Sequence, residues 1–163
     1  MSQLRAAVIT VSDSAFRGRR RDGSGPAVAA LLQQYGWTVV HTQIVEDDLP
    51  VLAATLRELA AKGIEGIFTT GGTGIAPRDV TPEATRKVIT REIPGLAEQM
   101  RRAGLEHTPR AVLSRGVTGI AGSSLVINLP GSPKGAVESL QSILPILNHA
   151  VDLIAGRTEH EKP

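Results

Sequence analysis

Three short β-branched runs, separated by helical spacing, constrain this chain more than any other feature. Residues 5–12 read RAAVITVS, a continuous apolar run suited to a strand buried on both faces. Val28, Leu31, Leu32 and Tyr35 then fall at i, i+3, i+4 and i+7 on a helix that Pro26 opens and Gly36 stops. Residues 37–45 form the second run. Leu52, Leu56 and Leu59 share one face of a second helix, which Asp47 or Asp48 can cap and Gly63 ends. Residues 66–70, GIFTT, make the third strand. Strand, helix, strand, helix, strand requires right-handed crossovers and a parallel sheet.

The second half is less regular. Residues 82–91 and 94–104 read as two shorter helices, each opened by proline, and residues 110–115 fit no single element. Residues 117–120 and 123–128 read as strands, a hairpin around Ala121-Gly122. A long final helix carries Val137, Leu140, Leu144, Leu147, Val151 and Ile154 three and four residues apart, a seam read as core packing rather than a coiled-coil interface because it is short and Pro145 interrupts it. The expectation is an α/β fold of three layers. A mostly parallel sheet has helices on both faces, with a small β-hairpin region in the second half. At 163 residues the chain suits one domain, 1–163, with a core over about 5–156 and a charged, frayed tail.

Composition narrows the chemistry. The sequence has no cysteine, which excludes thiol catalysis, disulfides and cysteine metal sites. His41, His107, His149 and His160 show no ligand spacing. Eighteen basic against sixteen acidic residues give a net charge of +2, and aromatics are 2%. Neither suits a nucleic-acid binder that relies on a strong positive field or on stacking platforms. No apolar stretch of about 18 residues suggests a membrane span, and the N-terminus shows no signal-peptide pattern, so a cytoplasmic protein is expected.

In an open parallel sheet, ligands bind beyond the carboxyl ends of the strands. The loops there have unusual compositions. The first strand leads into Ser12-Asp13, and the second into Glu46-Asp47-Asp48. The third leads into Thr70-Gly71-Gly72-Thr73-Gly74 and then Arg78-Asp79. The last leads from Asn128 into Gly131-Ser132-Pro133-Lys134. Glycines let backbone N–H groups approach an anion, so GGTG is either a phosphate cradle or a plain structural turn. It is neither a Walker loop nor a dinucleotide fingerprint. Asp47 and Asp79 are either helix caps or a carboxylate pair for Mg²⁺, a hard ion that takes one or two carboxylates plus substrate oxygens. PGSPKG is either a rigid connection or a phosphate site at a helix N-terminus. The cluster Arg17, Arg19, Arg20 and Arg21 is either a solvated loop or a clamp on an anionic ligand. Together these residues point to a Mg²⁺-dependent phosphate or nucleotide site, and to phosphoryl or nucleotidyl transfer.

Seven motifs carry a more specific resemblance. They are TVSD (10–13), DGSGP (22–26), TTGGTG (69–74), APRDVTPEAT (76–85), REIPGLAEQMR (91–101), LSRGVTGI (113–120) and INLPGSPKG (127–135). In this order they resemble the MogA/MoaB family of molybdenum-cofactor biosynthesis proteins, which includes the gephyrin and plant Cnx G domains. The resemblance implies a molybdopterin adenylyltransferase, with ATP and molybdopterin as substrates and Mg²⁺ as cofactor. It implies Asp47 and Asp79 for metal binding and catalysis, and Ser12, Asp13, Ser114 and Asn128 for molybdopterin. It implies Thr70, Gly71, Gly72, Thr73, Gly74, Arg78, Gly131, Ser132, Pro133 and Lys134 for nucleotide and phosphate. It further implies a homotrimer that hands its product to a molybdate-inserting enzyme, with a non-catalytic molybdopterin carrier as the alternative. The arginine cluster is left outside this site. The intact PRD-TPE and LPGSPKG resemble the active MogA type. One departure is Glu46, where proline commonly precedes the aspartate. Its charge beside Asp47 would either raise a carboxylate pKa or strengthen metal binding.

Overall fold

Alternation along the strands builds two cores from one sheet. The computed structural model describes residues 3–157; the tail beyond Arg157, His160 included, lies outside the described residues. In chain order the elements are β1 (Arg5–Val11), α1 (Asp13–Phe16), α2 (Ser24–Gln34), β2 (Thr38–Val45), α3 (Leu49–Ala61) and β3 (Gly66–Thr70). They continue with α4 (Thr81–Arg86), β4 (Arg91–Glu92), α5 (Pro94–Leu105), a 3-10 turn (Pro109–Leu113), β5 (Thr118–Ala121), β6 (Ser124–Leu129) and α6 (Pro133–Ile154). The sheet order is β2-β1-β3-β6-β5-β4. The pairs β1–β2, β1–β3 and β3–β6 are parallel, and β5 runs antiparallel between β6 and β4.

Successive strand residues face opposite layers. Ala6, Val8, Phe68, Leu125, Ile127 and Leu129 cluster with buried residues of α2, α5 and α6. Their neighbours Ala7, Ile9, Val11, Ile67 and Val126 cluster with α3 and α4. Helices therefore cover both faces, and the mostly parallel three-layer arrangement holds. Leu52, Leu56 and Leu59 are buried as their spacing predicts, each stabilising the fold by roughly 1.5–3 kcal/mol relative to exposure.

Local departures have identifiable causes. Ser12 caps α1, accepting the Ala15 N–H at 3.2 Å, so the polar stretch after β1 begins with a helical turn. Tyr35 lies past the end of α2 and is exposed, rather than on its buried face. The expected helix over 82–91 stops at Arg86, because residues 91–92 pair with Ile120 and Gly119 as an edge strand. Pro145 does not break α6. It lies on the exposed side with Gln141, the residue whose carbonyl it leaves without a donor, and water can satisfy that carbonyl.

The chain order places β1 between β2 and β3. Connections leave β1 in one direction and return past it to β3, so a topological switch point lies between the carboxyl ends of β1 and β3.

Candidate active site

The loops at that switch point interlock. The Gly71 N–H donates to the Leu129 carbonyl at 3.1 Å, tying the loop after β3 to the end of β6. Gly71 has φ +95°, and a Cβ there would lie 2.3 Å from the Val11 carbonyl oxygen. Only glycine allows so close an approach to β1. A Cβ on Gly131 would lie 3.2 Å from the Gly71 Cα. Thr81 fastens the same loop from α4, its hydroxyl donating to the Gly71 carbonyl at 2.8 Å and its N–H to the Gly72 carbonyl at 3.1 Å. Beyond these bonds the N–H groups of Gly72, Thr73 and Gly74 find no acceptor among the described residues. They form a row of free donors suited to an anion.

The carboxylates meet this row. A Cβ on Gly72 would lie 3.2 Å from Asp47 Oδ1, and one on Gly74 would lie 2.8 Å from Asp79 Oδ2. Neither aspartate is spent as a helix cap. Asp48 caps α3, accepting the Val51 N–H at 3.0 Å, and Val80 occupies the cap position of α4. Asp79 instead accepts the Ala76 N–H at 2.9 Å. Burial pushes the Asp47 carboxyl above its ordinary pKa; the Asp13 N–H works against this, and the charges of Asp13 and Asp79 add to it. Glu46 turns to Arg17, at 3.8 Å.

Asp13 serves as a clamp. Its carboxylate accepts Arg78 Nε at 2.5 Å, Arg78 Nη2 at 3.0 Å and the Asp47 N–H at 3.0 Å. The Arg78 guanidinium holds this carboxyl below its ordinary range. Arg78 Nη2 also donates to the Asp47 carbonyl at 3.1 Å. The structure thus places Arg78 on the Asp13–Asp47 junction, while Lys134 sits 3.8 Å from Glu138 with its side chain 84% exposed.

The cleft has two lobes that share Gly72, Asp79, Gly131 and Ser132. A polar lobe of about 490 Å³ includes Ser12, Asp47, Thr70, Gly71 and Pro133. A larger lobe of about 600 Å³ includes Thr73, Gly74, Ser114 and Asn128. The residues expected to hold molybdopterin therefore fall on different lobes. Asn128 is 2% exposed and its amide is fully engaged. It accepts the Val117 N–H at 3.0 Å and donates to the Thr69 and Thr85 hydroxyls at 3.0 and 2.9 Å. Ser132 caps α6, accepting the Gly135 N–H at 3.1 Å. The Ser114 hydroxyl accepts the Gly116 N–H at 3.3 Å, and Thr70 shares a hydrogen bond with Ser24 at 2.7 Å.

Sequence reasoning missed several wall residues. Arg20, Arg21 and Asp22 line the polar lobe, and Met100, Arg101 and Arg110 line the larger one. The sequence reading leaves the arginine cluster outside the site, while Arg20 and Arg21 lie on the wall of the polar lobe. Their proximity to DGSGP was the available signal. Met100 and Arg101 lie in the REIPGLAEQMR motif, which was the signal for them; Arg110 lies in the 3-10 turn, a stretch whose sequence fits no single element.

The donor set fits a Mg²⁺ ion carried with substrate. Asp47 and Asp79 offer only hard carboxylate oxygens. Among the described residues no group of three or more His, Asp or Glu side chains gathers to form a protein cage.

Comparison with known proteins agrees with this architecture. Residues 7–149 match the family described as "Probable molybdopterin binding domain". The chain belongs to this MogA/MoaB family of molybdenum-cofactor biosynthesis proteins. Its fold superposes on the crystal structure of the molybdopterin biosynthesis enzyme MoaB from Thermus thermophilus with a TM-score of 0.90. That chain is 50% identical, over 94% of this chain and 98% of its own. The molybdopterin adenylyltransferase of Helicobacter pylori strain J99 is 40% identical over 159 residues, 96% of this chain and 90% of its own length. The Drosophila melanogaster molybdenum cofactor synthesis protein cinnamon is 41% identical over 156 residues, 94% of this chain, which spans 26% of that longer protein. In this MogA/MoaB chain TTGGTG begins in β3 and continues with PRD into the loop after it, and LPGSPKG joins β6 to α6.

Proposed function

We propose that this chain is a molybdopterin adenylyltransferase, transferring AMP from ATP to molybdopterin with release of pyrophosphate. The observation that carries the reading is the close approach of the Asp47 and Asp79 carboxylates to Gly72 and Gly74, in a loop whose N–H groups at 72–74 have no acceptor among the described residues, at the switch point between β1 and β3. Curated relatives named molybdopterin adenylyltransferase, at about 40% identity over most of the chain, support it.

The chemistry follows from the groups present. A phosphate oxygen of molybdopterin attacks the α-phosphorus of ATP and forms a new P–O bond. The bond from that phosphorus to the α,β-bridging oxygen breaks, and its electron pair leaves with pyrophosphate. Such transfers depend on positioning and charge stabilisation more than on a protein nucleophile. The Gly72–Gly74 N–H groups donate to phosphate oxygens. Gly131 lets the loop after β6 approach Gly71, and the capped start of α6 adds its positive end. Asp47 and Asp79 would hold Mg²⁺, which when bound supplies charge neutralisation for the phosphates. The two lobes suit two substrates that meet near Asp79. The chain acts as one domain, in the cytoplasm, as a homotrimer that passes its product to a molybdate-inserting enzyme. Exposed apolar side chains such as Ile75 and Val112 are consistent with assembly.

The test is pyrophosphate release from ATP and Mg²⁺, with and without molybdopterin. Release only with the pterin is expected. Binding of molybdopterin without release would make the chain a carrier. Release without the pterin would make it a nucleotide hydrolase.

A further inference from the structure

We infer that Arg20 and Arg21 form a clamp for the β,γ-phosphates of ATP and for the pyrophosphate that leaves. The inference rests on the adenylyl-transfer reading and names residues that the reading itself does not use.

Arg20 and Arg21 are the only cationic side chains among the described residues of the polar lobe's wall. Arg19, in the same loop, does not line the lobe, and three other cations around the cleft are engaged. Arg78 is held by Asp13, and Arg17 pairs with Glu46. Arg115 is bonded to Glu83 and to the Gly74 and Asp79 carbonyls. Arg20 and Arg21 make no ion pair and no side-chain hydrogen bond with any described residue. Two arginines on this wall suit an anionic ligand, since a guanidinium binds phosphate oxygens bidentately.

The loop is built to hold them there. The N–H groups of Arg19 and Arg20 both donate to the Ser14 carbonyl, at 2.9 and 3.2 Å. Gly18 turns the chain at φ +71°. On the other side Asp22 accepts the Thr10 hydroxyl at 2.7 Å and the Gly25 N–H at 3.0 Å. The two arginines are thus pinned between β1 and the start of α2. These bonds fix the Asp22 carboxylate toward Thr10 and Gly25, and it forms no ion pair with Arg20 or Arg21. In the transfer, the departing pyrophosphate gains the electron pair of the broken bond, and the clamp meets that charge. AMP lacks the β- and γ-phosphates and does not engage it.

The test compares wild type with the double variant Arg20→Ala/Arg21→Ala and with Arg20→Lys/Arg21→Lys. Calorimetric titration with inorganic pyrophosphate and, separately, with AMP reads binding, and steady-state transfer reads KM and kcat. Both positions are exposed, so unchanged melting temperatures are expected. The alanine pair should weaken pyrophosphate binding about tenfold or more and raise KM for ATP, with AMP binding unchanged. The lysine pair should retain part of the affinity. Equal pyrophosphate affinity in wild type and the alanine variant, or equal losses for AMP and pyrophosphate, would overturn the clamp. A wild type that shows the clamp yet transfers no AMP would instead overturn the adenylyl-transfer reading.

Discussion

Asp13 and Asp47 exchange hydrogen bonds. The Asp13 N–H donates to Asp47 Oδ2 at 2.9 Å, and the Asp47 N–H donates to Asp13 Oδ1 at 3.0 Å. The exchange locks the carboxyl end of β1 to that of β2. It leaves Asp47 Oδ1 toward Gly72, and Arg78 closes the clamp from the third loop.

Asp13→Ala removes this clamp without touching the glycine loop. Hydrogen bonds to a charged group are worth about 1.5–3 kcal/mol each, so a stability loss of about 1–3 kcal/mol is expected after partial relaxation. Urea denaturation measures it. Transfer activity should fall with it, because Asp47 loses its orientation. A variant with wild-type activity would show that Asp47 is positioned by other means.

Asp79→Asn should fold as wild type does, since the amide oxygen can still accept the Ala76 N–H. Adenylyl transfer should fall by two orders of magnitude or more, about what loss of one preorganised charge-stabilising group costs. Molybdopterin binding, followed by fluorescence, should persist. Near-normal turnover would remove Asp79 from the catalytic set.

Gly71→Ala tests the interlock. The new methyl group would meet the Val11 carbonyl at 2.3 Å, on a backbone with φ +95°. Strain of about 1–3 kcal/mol plus displacement of β1 or β3 is expected. The far-ultraviolet signal should melt at a clearly lower temperature. An unchanged melting point would mean that the loop relaxes freely.

Glu65 gives a pH-dependent stability away from the cleft. Burial pushes its carboxyl up. The Arg5 side chain and N–H, at 3.0–3.1 Å, outweigh burial and leave the pKa below its ordinary value. A carboxyl lowered on folding stabilises the protein above its unfolded pKa of about 4.3, and loses that contribution as pH falls through the folded value. Glu65→Gln should therefore be less stable than wild type at neutral pH by about 0.5–1 kcal/mol, the scale of a partly solvated ion pair. The two should converge in acid, as the pH falls through the lowered pKa of the folded carboxyl. A difference independent of pH would assign the effect to packing.

Much of the site was readable along the chain because its parts are local. Glycines at 71, 72 and 74 follow a strand directly, and the apolar runs of 5–11 and 124–129 mark strands buried on both faces. The short helix over Asp13–Phe16 also had a local signal, Ser12 followed by an acid, that the reading of this stretch as plain loop passed over. Pro145 sits inside α6 without ending it, since its effect depends on which face meets water.

Sequence alone determined the five longer strands, which of them carry glycine at their carboxyl ends and which acids follow them, because these follow from spacing and backbone freedom within a few residues; the edge strand β4 was not among them. Only the tertiary structure decided how those acids are used. Asp47 and Asp48 are neighbours with the same chemistry, yet Asp48 caps α3 and Asp47 faces Gly72. Asp13 meets Asp47 across 34 positions and Arg78 across 65. Asn128 is locked by Thr69 and Thr85, and Arg20 and Arg21 join the cleft wall only because Ser14 and Thr10 anchor their loop. Such pairings depend on the packing of loops far apart in the chain, and no local periodicity encodes them.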